Sequence, residues 1–139
     1  MTLLIAIGNS LRHDDGVAHR VLELLGPLPG TITKSCLQLS PEMATELSLA
    51  DTVVFIDADI NPGLPSLELL TRETSCAFTL THGMRPCDLV AIARRLYAFT
   101  GIAYLCRVPG VDFSEGQVLS ERAESNARMA AELLRKLKL

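Results

Sequence analysis

Three short stretches of this chain gather residue types that can bind a metal or move protons. They are Gly8-Asn9-Ser10-Leu11-Arg12-His13-Asp14-Asp15-Gly16, then Asp57-Ala58-Asp59, then Thr81-His82-Gly83. Two carboxylates and one imidazole are a workable ligand set for a divalent transition metal. Three protein ligands leave positions open for a water or a substrate carbonyl, which hydrolytic metal sites require. Each stretch also has a plainer reading. Asp14 and Asp15 stand where a helix begins. A carboxylate there can cap free N–H groups and meet the helix dipole, worth about 0.5–2 kcal/mol. Two adjacent carboxylates are more than one cap needs. Asp57 alone can be a loop or capping residue, His82 alone a loop or core histidine, and His13 and His19 read as solvated. H-E-x-x-H, P-loop and G-x-S-x-G patterns are absent, and the lone Gly8-Asn9 is not a dinucleotide fingerprint.

These residues need a scaffold that brings them together, and the hydrophobic pattern supplies one. Leu3 to Ile7 is a continuous apolar run ending at Gly8-Asn9, a buried strand closed by a turn. Val17, Ala18, Val21, Leu22 and Leu25 follow at helical spacing until Gly26-Pro27 stops them. Residues 31–37 read as a second strand. Ser40-Pro41-Glu42 starts a short helix to about Ala50: serine caps, proline suits the first helical position, and glutamate favours the positive end of the dipole. Thr52 to Ile56 is a β-branched and aromatic strand ending in Asp57. Asn61 to Pro65 is a loop, and Ser66 to Arg72 alternates as an outer strand. After the loop Thr79 to Gly83, Leu89, Ile92, Ala93 and Leu96 mark a helix with Asp88 in its first turn. Ala103 to Val108 is a strand closed by Pro109-Gly110. Ser120 caps a final helix with the stripe Ala123, Ala127, Ala130, Leu133, Leu134 and Leu137 and a basic last turn.

The order β-α-β-α-β-β-α-β-α predicts an α/β fold: a three-layer sandwich with a mostly parallel, twisted five-stranded sheet and helices on both faces. The strand at 66–72 follows its neighbour without a helix, so it can run antiparallel at an edge. Ligands of such sheets lie beyond the carboxyl ends of the strands. That rule allows the two acidic stretches and the histidine of Thr81-His82-Gly83 to converge on one rim. No repeat or second domain is visible, and residues 1–139 read as one domain.

Composition narrows the function classes. At 139 residues and 48% hydrophobic content the chain can bury a real core, but aromatics are only 4%, so that core is built from Leu, Ile, Val and Ala. The formal charge is −3, and the basic residues are dispersed apart from Arg135, Lys136 and Lys138. That charge pattern argues against a nucleic-acid partner. The opening Met-Thr-Leu-Leu-Ile-Ala-Ile is too short and lacks the basic leader of a signal peptide or membrane span, so a cytoplasmic location without a membrane partner is expected. Cys36, Cys76, Cys87 and Cys106 show no C-x-x-C spacing and read as buried free thiols. Nothing demands a dimer, and a monomer is expected.

The motifs resemble those of the hydrogenase maturation proteases. That family opens with a strand and Gly-Asn-x-Leu-x-x-Asp-Asp/Glu-Gly, matched here by Gly8 to Gly16. An apolar strand ending in Asp-Ala follows, here Val53-Val54-Phe55-Ile56-Asp57-Ala58, then a histidine before a helix, here Thr81-His82-Gly83. A late segment, here Asp112-Phe113-Ser114-Glu115-Gly116-Gln117-Val118-Leu119-Ser120, also recurs. The resemblance spans nearly the whole chain. It implies an endopeptidase that removes a C-terminal extension from the large subunit of a nickel–iron hydrogenase after nickel insertion. Asp15, Asp57 and His82 would contact nickel supplied by the precursor, the metal being the recognition signal. Residues Leu37 to Glu42 resemble the His-Gln-Leu-x-Pro-Glu segment of the branch serving bidirectional NAD(P)-coupled hydrogenases, with Leu37 in place of histidine. By that likeness Gln38, Pro41 and Glu42 are candidate substrate-recognition residues. The alternatives are a nickel-sensing binding or chaperone module for the precursor, and a metal-dependent hydrolase with a different substrate.

Overall fold

The structure, a computed structural model, describes residues 1–71 and 83–137. Its five strands are β1 (Thr2–Ile7), β2 (Thr31–Cys36), β3 (Thr52–Asp59), β4 (Ser66–Leu69) and β5 (Ile102–Pro109), and they form one sheet in the order β2-β1-β3-β5-β4. β2, β1, β3 and β5 are parallel, and β4 runs antiparallel to β5 at the edge. The helices are α1 (Val17–Leu25), the single turn α2 (Ala44–Leu47), α3 (Pro86–Leu96) and α4 (Glu121–Lys136). The predicted α/β class, the mostly parallel five-stranded sheet and its antiparallel edge are all present. No helix among the described residues is long and apolar enough to cross a membrane.

The central strands are apolar on both faces because both are covered. Leu3, Ile5, Ile7, Val53, Phe55, Ala103 and Leu105 face a core closed by α2 and α3. Leu4, Ala6, Val54, Ile56, Cys106 and Val108 face a second core closed by α1 and α4. Complete burial of each Leu, Ile, Val or Phe side chain among them is worth about 1.5–3 kcal/mol. The α4 face consists largely of alanine (Ala123, Ala127, Ala130, Ala131), so α1 packs closely against it. This is how a chain with few aromatic residues fills its interior. The edge strand β2 is polar, Thr-Ile-Thr-Lys-Ser-Cys, and mostly exposed, as suits an edge that must not recruit a further strand.

Several boundaries differ from the sequence pattern for local reasons. Leu96, predicted to lie on the buried stripe of α3, is 68% exposed. The helix ends there, Ala98 turns with φ 56°, and Phe99 folds back into the core and donates its N–H to the Ala93 carbonyl. On α4, Ala131 is buried while Leu133 is only half-buried. The helix after Ser40 is a 3-10 turn (Pro41–Met43) running into α2, and i→i+3 bonds from Leu49 and Ala50 close it before the predicted end. β4 stops at Leu69, and the predicted extension to Arg72 reaches beyond the described residues. Cys36 and Cys106 are free, as expected, but Cys87 is disulfide-bonded, which corrects the reading of it as a free thiol.

Candidate active site

The chain leaves β1 through α1 to reach β2 on one side and leaves β3 through α3 to reach β5 on the other. α1 covers one face of the sheet and α3 the opposite one. The direction of winding therefore reverses between β1 and β3, and a crevice opens beyond their carboxyl ends. The residues lining that crevice are those that follow Ile7 and those that end β3, because Ile7 and Asp57 are register partners.

The stretch after β1 is shaped by backbone contact. Gly8 has φ +149°, and a Cβ there would lie 1.9 Å from the carbonyl oxygen of Asp15. Only glycine permits the 3-10 turn His13–Gly16 to fold back over the strand end. Asp15 is half-buried, and its Oδ2 accepts from the Asn9 N–H at 2.9 Å. Its Oδ1 takes no hydrogen bond from any described residue, so one oxygen is oriented while the other can serve a ligand. The turn itself packs against β3, which brings Asp15 and Asp57 to the same rim.

Asp57 is 1% exposed and lies within β3, two residues before its end, rather than in a following loop or at a cap. Val53 and Phe55 face the α2–α3 core and Val54, Ile56 and Ala58 the other. By alternation Asp57 projects to the α2–α3 side. Its negative charge reaches Cys36 at the end of β2: burial pushes that thiol up, Lys34 opposes, and Asp57 and Glu46 reinforce the rise. Burial alone pushes Cys106 up to about 12. Neither free thiol has the thiolate character of a nucleophile.

Asp14 does something else. It is fully buried. Its Oδ2 accepts from the N–H of Val111 (2.7 Å), the N–H of Asp112 (3.0 Å) and the Ser120 hydroxyl (2.7 Å), and its Oδ1 accepts from the Ser120 N–H (2.8 Å). Burial acts to raise its pKa, yet the N–H groups of Ser120, Val111 and Asp112 and the Ser120 hydroxyl outweigh that and hold the carboxyl below its ordinary value. Ser120 in turn accepts from the Ala123 N–H and caps α4. Around this carboxylate, residues 8–16 and 110–120 are zipped together: His13 N–H to Gly116 O, Gly116 N–H to Leu11 O, and Asp14 N–H to Asp112 O. A Cβ at Gly110 would lie 2.6 Å from Asp14 Cβ. Asp14 thus anchors the loop that carries Asp15 and cannot also be a ligand. His13 and His19, read as solvated, are half-buried and bonded: His13 Nδ1 lies 2.6 Å from Val118 O and His19 Nε2 2.8 Å from Gly8 O.

His82 lies outside the described residues. The chain re-enters at Gly83, and a Cβ there would lie 3.8 Å from the Gln38 side-chain oxygen. Met84 forms an antiparallel bridge with Leu39. The Leu37–Glu42 segment therefore adjoins the position directly after His82, with Gln38, Pro41 and Glu42 exposed. Among the described residues, no group of three or more His, Cys, Asp or Glu is placed to hold a metal ion. The described oxygen donors here are Asp15 and Asp57, a hard pair that suits a divalent metal completed by an imidazole or by the substrate's own ligands.

One charged residue at this rim escaped the sequence reading. Arg107 is the register partner of Asp57 and sits in an otherwise apolar strand. A charge within such a run is costly unless it is used, and that was the available signal.

No family model and no curated protein matches the chain. Solved structures do share its fold. The NiFe hydrogenase maturation protease HycI from Thermococcus kodakarensis superposes with a TM-score of 0.76 at 19% identity, covering 98% of this chain and 90% of that one. The hydrogenase maturating endopeptidase HybD from E. coli gives 0.72 at 19% identity, with 99% and 91% covered. A hydrogenase 2 maturation peptidase from a Thaumarchaeota archaeon gives 0.69 at 22% identity, with 99% and 97% covered. At these identities the likeness establishes the fold over essentially the full length of both partners.

Proposed function

We propose that this chain is an endopeptidase that trims a C-terminal extension from the large-subunit precursor of a nickel–iron hydrogenase once nickel is in place. The observation that carries the proposal is the packing of the turn that holds Asp15 against β3, the strand that holds Asp57, at the reversal point between β1 and β3. The motif order around them and the fold shared with solved maturation proteases support it. Asp15, Asp57 and His82 engage the nickel that the precursor displays, so the metal arrives as part of the substrate. The protein acts as a monomer in the cytoplasm.

In this reading the residues divide the work. Asp15 presents Oδ1 with Oδ2 fixed by Asn9. Asp57 presents a carboxylate in a rigid central strand, so its position does not depend on a loop. Gln38, Pro41 and Glu42 form an exposed lip beside residues 83–84 and contact the precursor around its metal. Bound nickel supplies Lewis-acid polarisation of the nearby carbonyl or a more acidic water. Alternatively one of the two carboxylates, Asp15 or Asp57, accepts the proton from the attacking water as general base.

The test is mass spectrometry of a cognate nickel-loaded precursor incubated with the protein, beside a nickel-free precursor. Loss of a C-terminal peptide from the loaded form alone is the expected result. Unchanged masses with stable association would point to a binding module, and cleavage of both forms would remove nickel as the signal.

A further inference from the structure

Among the described residues, two donors of Arg107 lack an aligned hydrogen-bond acceptor. Its side chain is 20% exposed, and its Nε and Nη2 atoms are buried without a hydrogen-bond partner. Nη2 does lie 2.9 Å from Glu68 Oε2, so charge is matched, but the alignment of a hydrogen bond is missing. An orphaned buried donor is costly, and native structures seldom leave two on one side chain unless a ligand completes them. Nε and Nη2 together form one edge of the planar guanidinium, a two-pronged fork for an oxygen.

Its placement says which oxygen. Arg107 pairs with Asp57 across β3 and β5, and Ala103 and Leu105 on the same strand face the α2–α3 core. Alternation puts Arg107 on the same face as Asp57, at the same carboxyl rim. With Glu68 already against the guanidinium and Asp57 on the next strand, an incoming carboxylate would be the third negative group around one cation. A neutral acceptor meets no such repulsion. We propose that the Nε–Nη2 edge of Arg107 binds a main-chain carbonyl oxygen of the polypeptide drawn up to Asp57, making Arg107 a substrate-positioning residue. This rests on the endopeptidase reading and adds a polypeptide contact that is independent of the metal.

The test compares wild type with Arg107→Lys, Arg107→Gln and Glu68→Gln, using the nickel-loaded precursor. Lysine keeps the charge beside Glu68 but lacks the fork. Arg107→Lys is therefore expected to raise KM about tenfold or more, with kcat and Tm near wild type. Arg107→Gln should do the same with a lower Tm, and Glu68→Gln should leave KM unchanged. A wild-type KM for Arg107→Lys, or an equal KM rise in Glu68→Gln, would overturn the proposal while leaving the protease reading intact. If wild type does not cleave, the affinity of each variant for the precursor decides: weaker binding by Arg107→Lys upholds the contact without the activity. Equal binding, or no binding by wild type, removes it.

Discussion

Asp14 and Arg107 are both charged side chains at the carboxyl rim of one sheet, and they are treated in opposite ways. Asp14 accepts four hydrogen bonds from residues 111, 112 and 120, with neither oxygen left over. Arg107 has an ion pair with Glu68, but among the described residues its buried Nε and Nη2 lack an aligned hydrogen-bond acceptor. The same division runs through their surroundings. On Asp14's side, loops 8–16 and 110–120 are laced by backbone bonds and close glycine contacts. On the other side lie Asp57, Arg107, the exposed lip at residues 37–42 and the chain that follows His82. One side consumes its polar groups to hold a shape, and on the other the Arg107 guanidinium lacks aligned acceptors among the described residues. Two adjacent aspartates in the sequence thus have unrelated duties: Asp14 fixes the loop, and Asp15 is presented by it.

Substitutions at each side break or sharpen that contrast. The largest effect is expected at Asp57. Asp57→Asn keeps the shape but loses a ligand carboxylate, so cleavage should fall at least about 100-fold. Normal cleavage would show that Asp57 is not part of the working half. Asp14→Ala should do the reverse of this in kind, costing about 3 kcal/mol of unfolding free energy in urea titrations by stranding the donors it satisfies. A loss within experimental scatter would mean the clamp does not hold the loops.

The clamp also has a pH signature. The folded pKa of Asp14 lies below its ordinary 3.8. Its contribution is therefore fully present above that value, and it is lost as pH falls from there through the lower folded value. Urea midpoints of wild type should drop as pH falls below about 4, and Asp14→Asn should flatten that part of the drop. Parallel slopes would assign acid sensitivity elsewhere. Ser120→Ala removes both the α4 cap and one of the Asp14 contacts, for about 1–2 kcal/mol in the same assay. The smallest effect is expected at the Arg20–Glu124 pair that links α1 to α4 at 2.9 Å on a partly exposed surface. Arg20→Ala should shift the urea midpoint least of all these variants and leave cleavage unchanged.

Much of the architecture was legible from local pattern. The apolar runs 3–7, 52–56 and 103–108 and the helical stripes between them specify alternating strands and helices, which close into a parallel sheet almost regardless of detail. Ser120 is the cap it was read to be. Asp15 and Asp57 were expected near one rim by the rule that ligands lie beyond the carboxyl ends of strands, and the register pairs Ile7, at the end of β1, with Asp57. Their ligand role, like that of His82, is a proposal that the substitutions above address.

Sequence by itself therefore determined the elements, their order and the rim on which the acidic stretches gather, because periodicity and chain connectivity are local properties. Only the tertiary structure separated Asp14 from Asp15, since Asp14's partners lie 97 to 106 residues away and no local spacing reveals them. Only the strand register set Arg107 beside Asp57. Only packing showed His13 and His19 to be bonded rather than solvated, and Phe99 to take the place expected of Leu96. In each case the deciding energy comes from burial and hydrogen bonding between distant segments, which exist only once the chain has closed on itself.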